Sequence, residues 1–417
     1  MTSLLAPQLP RHDPDQQAVA IADAPAAARA ALRLLQRLRH GTLELRTPSG
    51  HTLLFGQRGA CDAPHARLEL RDWSVATAAW RRGDIGFAES YLAGDWSTPD
   101  LAALLRLMLA NRQALEDVIH GTWAGRLLYR WRHWLRRNTR SGSRRNIHAH
   151  YDLGNGFYRL WLDETLTYSA AWFDGDAGRD LASAQRAKIA RALRMAGVTA
   201  GTRLLEIGCG WAALAEMAAR DFGADVTGIT LSTEQLAYGR ARLASAGLSD
   251  RVELRLQDYR DVNDGPYDAI VSIEMIEAVG RAYWPVYFET LQRLLRRGGR
   301  ACIQAIVIRD ALFERYVRST DFIQQYIFPG GCLPSPSAFR AQATRAGLQI
   351  VDMLAFGRDY AETCRRWRRN FLARREEVLA LGFDERFVRL WSFYLAYCEA
   401  GFEAGDIDVV QYTLVNS

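Results

Sequence analysis

Near the middle of the chain, Glu206-Ile207-Gly208-Cys209-Gly210 sets an acid beside two glycines at a spacing suited to ligand binding. The run before Gly208 reads as a short buried strand, and the Ala-rich run from Ala212 reads as a helix. Glycines in the turn between them let backbone approach a ligand and aim helix N–H groups at it. Glu206 stands at the strand's end, facing the same ligand. A Gly-x-Gly after a strand also occurs in dinucleotide-binding folds. The third glycine of that fingerprint is missing, since Ala213 stands there. Nucleotide binding and a purely structural turn are the competing readings.

The rest of the chain must position this turn. It has 417 residues, 49% of them hydrophobic, enough for two domains or one with large insertions. No apolar run reaches the length of a transmembrane helix, and the N-terminus lacks the basic-then-apolar order of a signal peptide. A cytoplasmic protein, at most peripheral to a membrane, is expected. Cys61, Cys209, Cys302, Cys332, Cys364 and Cys398 are scattered without C-x-x-C spacing, so neither zinc nor a disulfide framework is indicated. The net charge is +6, and Lys188 is the only lysine. Arginine binds phosphate through its planar fork. With no nucleic-acid module signature, the expected partner is an anionic membrane rather than nucleic acid.

In chain order, residues 1–24, rich in Pro, Asp, Gln and Ala, read as disordered. Residues 25–38 carry Leu32, Leu34, Leu35 and Leu38 at helical spacing. Thr42–Arg46 and His51–Phe55 alternate around Pro48-Ser49-Gly50 as a hairpin does, and a third strand is expected near Ala66–Leu70. Helices after it complete a small α+β domain over residues 25–115. Residues 116–149 read as a linker helix. Within it, 123–145 alternate arginines with Trp123, Trp131 and Trp134 and contain no acid. A solvated basic face and an interfacial membrane segment both account for that pattern.

Residues 150–417 alternate strands and helices. Strands are expected at Leu204–Ile207, Asp225–Ile229, Val252–Leu256, Ala269–Ser272, Arg300–Ile308, Ile350–Ala355 and Asp408–Val415. Helices are expected at Leu181–Ala196, Ser232–Ala246 with Ser232 as cap, and Tyr283–Leu295. The order implies an α/β fold, a doubly wound Rossmann-like sheet with its ligand at the strands' carboxyl ends. Two aromatic-rich insertions, Ala311–Ser335 and the helical Arg358–Gly405, either roof an apolar pocket or add core.

The (Asp/Glu)-x-Gly-x-Gly form resembles motif I of class I S-adenosylmethionine-dependent methyltransferases. With His150–Asn155, Thr167–Ser169, Leu204–Trp211, Gly228–Gln235, Gln257–Asp261, Glu274–Gly280 and Tyr326–Ser335 in that order, the chain resembles the cyclopropane fatty acid synthase family, which includes the mycolic acid cyclopropane synthases. The likeness is strong over residues 140–417. It is weaker over 25–110, where family members of this length carry an N-terminal domain that helps engage lipid. The resemblance implies that the π electrons of a cis double bond in a fatty acyl chain, usually within a phospholipid, attack the sulfonium methyl of S-adenosylmethionine. It implies that Gly208 and Gly210 approach the donor's methionine part and that Glu206 meets its amino group. Thr230 and Gln235 hold the ribose side, and Gln257, Asp258 and Tyr259 border the adenine. Tyr168 and Ser169 close over the donor. Tyr168, Trp172, Phe328 and Tyr360 are candidate aromatic faces for a cation, and each also reads as plain core. A homodimer is compatible with relatives of this length.

In the cyclopropane synthases a bound bicarbonate takes a proton as the ring closes. The family holds it with a cysteine, a glutamate, a histidine, an isoleucine backbone and a tyrosine. By likeness the glutamate is Glu277, the isoleucine Ile306 and the tyrosine Tyr360. The cysteine position holds Ala170, the histidine position Gln304, and the histidine that commonly follows the glutamate is Ala278. Ala170 has no side-chain donor and Gln304 has no charge, so an anion beside Glu277 lacks its usual compensation unless Arg281 supplies it. Bicarbonate binding is therefore doubtful. The expected function is cyclopropane-synthase-like C-methylation of a phospholipid acyl chain. The alternatives are the same transfer giving a methyl-branched unsaturated or methylene chain, a non-catalytic lipid-binding relative, and methylation of a soluble small molecule.

Overall fold

A computed structural model describes residues 21–22, 24–56, 64–113, 115 and 153–417. Of the segment 1–24 expected to be disordered, residues 1–20 and 23 lie outside the described residues, as do the linker helix 116–149 with its arginine–tryptophan pattern, Cys61 and His150–Asp152; Ile21 and Ala22 are helical and Ala24 is buried, against that expectation. Those described form two compact units, one up to residue 115 and one from residue 153.

The first unit contains a four-stranded sheet: β1 (Thr42–Arg46), β2 (Thr52–Gly56), β3 (His65–Leu70) and the short β4 (Trp96–Ser97), in the order β2-β1-β3-β4. Leu43, Leu45, Leu53, Phe55, Leu68 and Leu70 point to one buried face, as the period of two requires. The hairpin turns where Pro48-Ser49-Gly50 is expected to turn it, with Gly50 at φ 87°. Helices Ala26–Leu35, Ser74–Ala93 and Leu101–Ala110 supply the α part. Asp100 starts the last of these by accepting from Ala103 N at 3.0 Å, which satisfies one of the helix's orphan donors.

The second unit is built on seven strands: β5 (Arg203–Ile207), β6 (Asp225–Thr230), β7 (Val252–Leu256), β8 (Tyr267–Ile273), β9 (Leu295–Ile308), β10 (Leu348–Ala355) and β11 (Ile407–Asn416). Their order is β10-β11-β9-β8-β5-β6-β7. From β9 to β7 neighbours are parallel, and β11 and β10 join antiparallel. Leu204, Leu205, Glu206 and Ile207 are all buried, the continuous run of a strand covered on both faces. Leu193, Leu214 and Ala218 lie in the core on one side. Tyr287, Phe288 and Leu291 lie in the core on the other. The chain leaves β5 toward β7 on one flank and returns through β8 toward β9 on the other. That reversal opens a crevice at the carboxyl ends of β5 and β8.

The aromatic insertions are largely core. Helices Gly357–Ala373, Arg375–Ala380 and Glu385–Glu403 occupy the expected helical insertion. Trp367, Phe371 and Trp391 are buried there, and Trp161 packs against Trp367 and Trp391 with ring centroids 5.6 and 5.8 Å away. Phe322, from the other insertion, packs against Phe393 with ring centroids 4.8 Å apart.

Candidate active site

Past the end of β5 the chain turns through Gly208 at φ 87°, Gly210 at φ 51° and Ala212 at φ 67°. This left-handed backbone is strained for residues with a Cβ, and glycine avoids the strain at the first two. The N–H groups of Gly208 and Cys209 both donate to Ile229 O on β6 at 3.0 Å, which pins the turn. A Cβ on Gly210 would meet nothing within 4 Å. Gly210 borders a cavity of about 170 Å³, open at its mouth and lined also by Tyr168, Ser169, Glu206, Gly208, Thr230, Gln235, Gln257 and Tyr259.

Thr230 Oγ1 donates to Gln235 Oε1 at 3.0 Å, and Ser232 Oγ accepts from Gln235 N at 3.2 Å as the expected cap. Asp258 departs from expectation. It is not a lining residue, because Arg260 clamps its carboxylate from Nε at 2.8 Å and Nη2 at 2.5 Å. Glu206 is buried, its Oε2 has no hydrogen-bond partner, and burial pushes its pKa well above the usual carboxylate range. A buried acceptor without a donor is uncommon. An ammonium group in the cavity would satisfy it. The open side of Gly210 and the unpaired oxygen of Glu206 together fit the amino acid end of S-adenosylmethionine.

Glu274, just past β8, also lines this cavity. This glutamate adopts φ 50°, an uncommon conformation for a residue with a side chain. Its Oε1 accepts from Ala170 N at 2.9 Å and Gln304 Nε2 at 2.7 Å, and its Oε2 accepts from the Tyr360 hydroxyl at 2.6 Å. Gln304 cannot turn its amide round. Its Oε1 accepts from Gln411 Nε2 at 3.0 Å, and Gln411 Oε1 accepts from Arg191 Nη1 at 2.7 Å. Arginine only donates, so the relay has one direction and presents N–H to Glu274. Burial, reinforced by the Glu274 charge, holds the Tyr360 pKa well above its usual value, so the phenol keeps its proton and donates.

The cation facing this group is Lys188. It is fully buried, with Nζ 2.5 Å from Ser169 Oγ. Burial lowers its pKa to about 8, opposed by the charges of Glu274, Asp163 and Glu206. Glu277 has a different setting. Its carboxylate accepts from Ile306 N, and its Oε2 is buried without a partner. Burial, then the charge of Glu274, pushes its pKa to about 8.

The sequence gathers Ala170, Gln304, Ile306 and Tyr360 around one anion beside Glu277. The structure divides them: Ile306 turns to Glu277, and the other three turn to Glu274. The donors a bicarbonate would need are already held by a side-chain carboxylate, and a second acid stands next to it. The residues present do not fit bicarbonate. Arg281 does not compensate, being exposed with its guanidinium over the Phe313 ring, 5.5 Å from the centroid. Among the aromatic candidates, Tyr168 lines the cavity, with its hydroxyl 2.7 Å from that of Tyr394. Tyr360 stacks on Phe402 at 4.3 Å, Phe328 meets Tyr394 edge-on at 6.3 Å, and Trp172 is half-buried. Glu274 and Lys188 escape sequence reasoning as site residues. The available signals were an acid closing the apolar run Ala269–Ile273 and one lysine among 53 basic residues.

The doubly wound sheet, the glycine turn after β5 and the cavity beside it define a class I S-adenosylmethionine-dependent methyltransferase. The profile of the mycolic acid cyclopropane synthetase family matches residues 138–412, and the chain belongs to that family. It is 43% identical to the tuberculostearic acid methyltransferase of Mycobacterium tuberculosis over 94% of this chain and 92% of that one. It is 35% identical to the cyclopropane-fatty-acyl-phospholipid synthase of Escherichia coli over 79% of this chain and 83% of that one. Among solved structures it resembles a mycolic acid cyclopropane synthase complexed with SAH and CTAB. The TM-score is 0.61 and the identity 32%, covering 65% of this chain and 98% of that one. S-adenosylmethionine is the methyl donor, and the protein is an enzyme.

Proposed function

We propose that this enzyme methylates the cis double bond of an unsaturated fatty acyl chain carried by a membrane phospholipid. The carrying observation is that the donor cavity is lined by the acids Glu206 and Glu274 and by Tyr168, and that the Tyr360 hydroxyl donates to Glu274. S-adenosylmethionine supplies an electrophilic sulfonium methyl when bound. Glu206 and the Gly208–Gly210 turn orient its amino acid end, and Thr230, Gln235, Gln257 and Tyr259 take the remainder. The aromatic walls keep nucleophilic water from the cation and stabilise it through their faces. The name of the Escherichia coli relative supports phospholipid as the carrier. The arginine-rich surface suits anionic headgroups. Among the described residues no helix is long and apolar enough to cross a membrane. We place the enzyme on the inner face of the membrane, with the N-terminal unit and segment 116–149 engaging lipid.

Two products are compatible with this transfer, a cyclopropane and a methyl-branched unsaturated or methylene chain. The misfit of bicarbonate favours the second, as does likeness to a relative named for tuberculostearic acid. The test is incubation with methyl-labelled donor and vesicles of mono-unsaturated or fully saturated phospholipid. Label is expected in the unsaturated lipid alone; none in either overturns the reading. Ring and alkene have equal mass, so mild hydrogenation of the product, which adds hydrogen to the alkene only, separates them.

A further inference from the structure

We infer that Glu274 is the built-in base of this enzyme, a side-chain carboxylate that takes the place of a dissolved anion. The inference rests on the methyl-transfer reading above. Three features of the chain itself carry it. First, Glu274 forms part of the wall of the donor cavity that also holds Glu206 and Ser169. Second, the donors around it, Ala170 N, Gln304 Nε2 and the Tyr360 hydroxyl, come from separate parts of the chain and converge on its two oxygens. The one-way relay from Arg191 through Gln411 fixes the Gln304 amide as a donor. A set of donors with fixed direction stabilises the ionised form, which is the form that can take a proton. Third, the backbone at Glu274 adopts φ 50°, strain that persists where surrounding structure enforces it and that gathers at functional sites. Lys188 balances the charge without bonding the carboxylate, since its Nζ reaches Ser169 Oγ.

The alkene π pair forms a bond to the methyl carbon, and the C–S bond breaks with its electrons left on sulfur as S-adenosylhomocysteine. The other alkene carbon becomes a cation. A neighbouring C–H bond then breaks. Its electrons neutralise the cation, forming a new carbon–carbon bond, and its proton passes to a Glu274 oxygen. The carboxylic acid so formed returns the proton to solvent after product leaves.

Burial raises the Glu274 pKa above the ordinary carboxylate value, which makes it a stronger proton acceptor than an exposed acid. Glu277 is a poorer candidate, because its pKa of about 8 leaves it protonated at neutral pH.

The test uses the full chain, with Glu274→Gln and Glu274→Gly. The glycine variant relieves the backbone strain and vacates the donors; folding is checked by thermal unfolding and by S-adenosylhomocysteine affinity. With unsaturated phospholipid vesicles and labelled donor, wild-type turnover is expected to be equal in carbonate-stripped and bicarbonate-supplemented buffer. Glu274→Gln is expected to lose activity at least a hundredfold while its S-adenosylhomocysteine affinity stays within about threefold, in line with the usual contribution of a general base. Glu274→Gly is expected to regain turnover with added formate or bicarbonate. A wild type that needs bicarbonate, or a Glu274→Gln variant with full turnover, overturns the inference and leaves methyl transfer intact. A binding measurement separates the two without substrate: ¹³C-bicarbonate line broadening is expected with Glu274→Gly and absent with wild type. Broadening with wild type overturns the inference whatever the enzyme methylates.

Discussion

Glu274 and Glu277 stand three residues apart and divide one ring of donors unequally. Glu274 takes Ala170 N, Gln304 Nε2 and the Tyr360 hydroxyl, while Glu277 takes Ile306 N and leaves one oxygen buried without a partner. Two adjacent acids in so dry a site cannot both ionise cheaply. The donors go to the first, and burial with the neighbouring Glu274 charge pushes the pKa of the second up to about 8, which favours its protonated form.

That proton makes stability depend on pH. Glu277 has a folded pKa of about 8 against an ordinary 4.5, so between these values the native state holds a proton the unfolded chain has lost. Its contribution is complete below pH 4.5 and disappears as pH rises through 8, with a limiting slope of about 1.4 kcal/mol per pH unit. Urea unfolding at pH 5, 6.5 and 8 is expected to show wild type weakening relative to Glu277→Gln across this range. Parallel curves for the two proteins would count against a protonated Glu277.

Lys188 is expected to tolerate neither neutral nor bulkier replacement. Lys188→Met removes the buried charge near Glu274 and Glu206 and leaves Ser169 Oγ without its donor, a loss of about 1–3 kcal/mol. Lys188→Arg keeps the charge, but a planar guanidinium does not fit a space shaped for an ammonium against Ser169 Oγ. Chemical denaturation reads both, and full stability of the arginine variant contradicts the argument.

Gly210→Val separates binding from folding. The new side chain points into the open space of the donor cavity, so S-adenosylhomocysteine affinity is expected to fall at least tenfold by calorimetry. Left-handed strain adds roughly 1–2 kcal/mol of destabilisation. Gly247→Ala is the control. Gly247 has φ 68° and nothing within 4 Å of an added Cβ, but it does not line the cavity, so this variant is expected to lose stability and keep affinity.

Tyr360→Phe removes the donor to Glu274 Oε2 while keeping the ring stacked on Phe402. A hydrogen bond to a charged group contributes about 1.5–3 kcal/mol, which corresponds to roughly a ten- to hundredfold fall in methyl transfer to lipid. Donor affinity is expected to stay unchanged, because Tyr360 does not border the donor cavity. An equal fall in S-adenosylhomocysteine binding would place Tyr360 in the wrong role.

The sheet was legible because burial on both faces writes itself as unbroken apolar runs. Thr42–Arg46 and Val252–Leu256 agree with expectation to the residue, His51–Phe55 shifts by one to Thr52–Gly56, and the other expected strands extend at one or both ends. The glycine turn was legible because its chemistry is local. The antiparallel placement of β11 was not, since apolar pattern alone carries no strand direction. Asp258 looked available because its partner Arg260 lies two residues along the chain, and sequence does not say which of two neighbours a carboxylate will face. Glu274 was missed for a deeper reason. Its role depends on Ala170, Gln304 and Tyr360 arriving from three distant segments, and on Gln411 and Arg191 fixing the direction of one amide. The resemblance also pointed at the acid three residues further on.

The single lysine of the chain is wholly enclosed, so a protease that cuts only after lysine has no side chain to grip until the second unit opens. The rate at which two fragments appear then reports the opening of that unit, following the open population when reclosure outruns cleavage. A ligand that favours the closed form slows that clock, which gives a screen for acyl-chain and donor analogues needing no knowledge of the product.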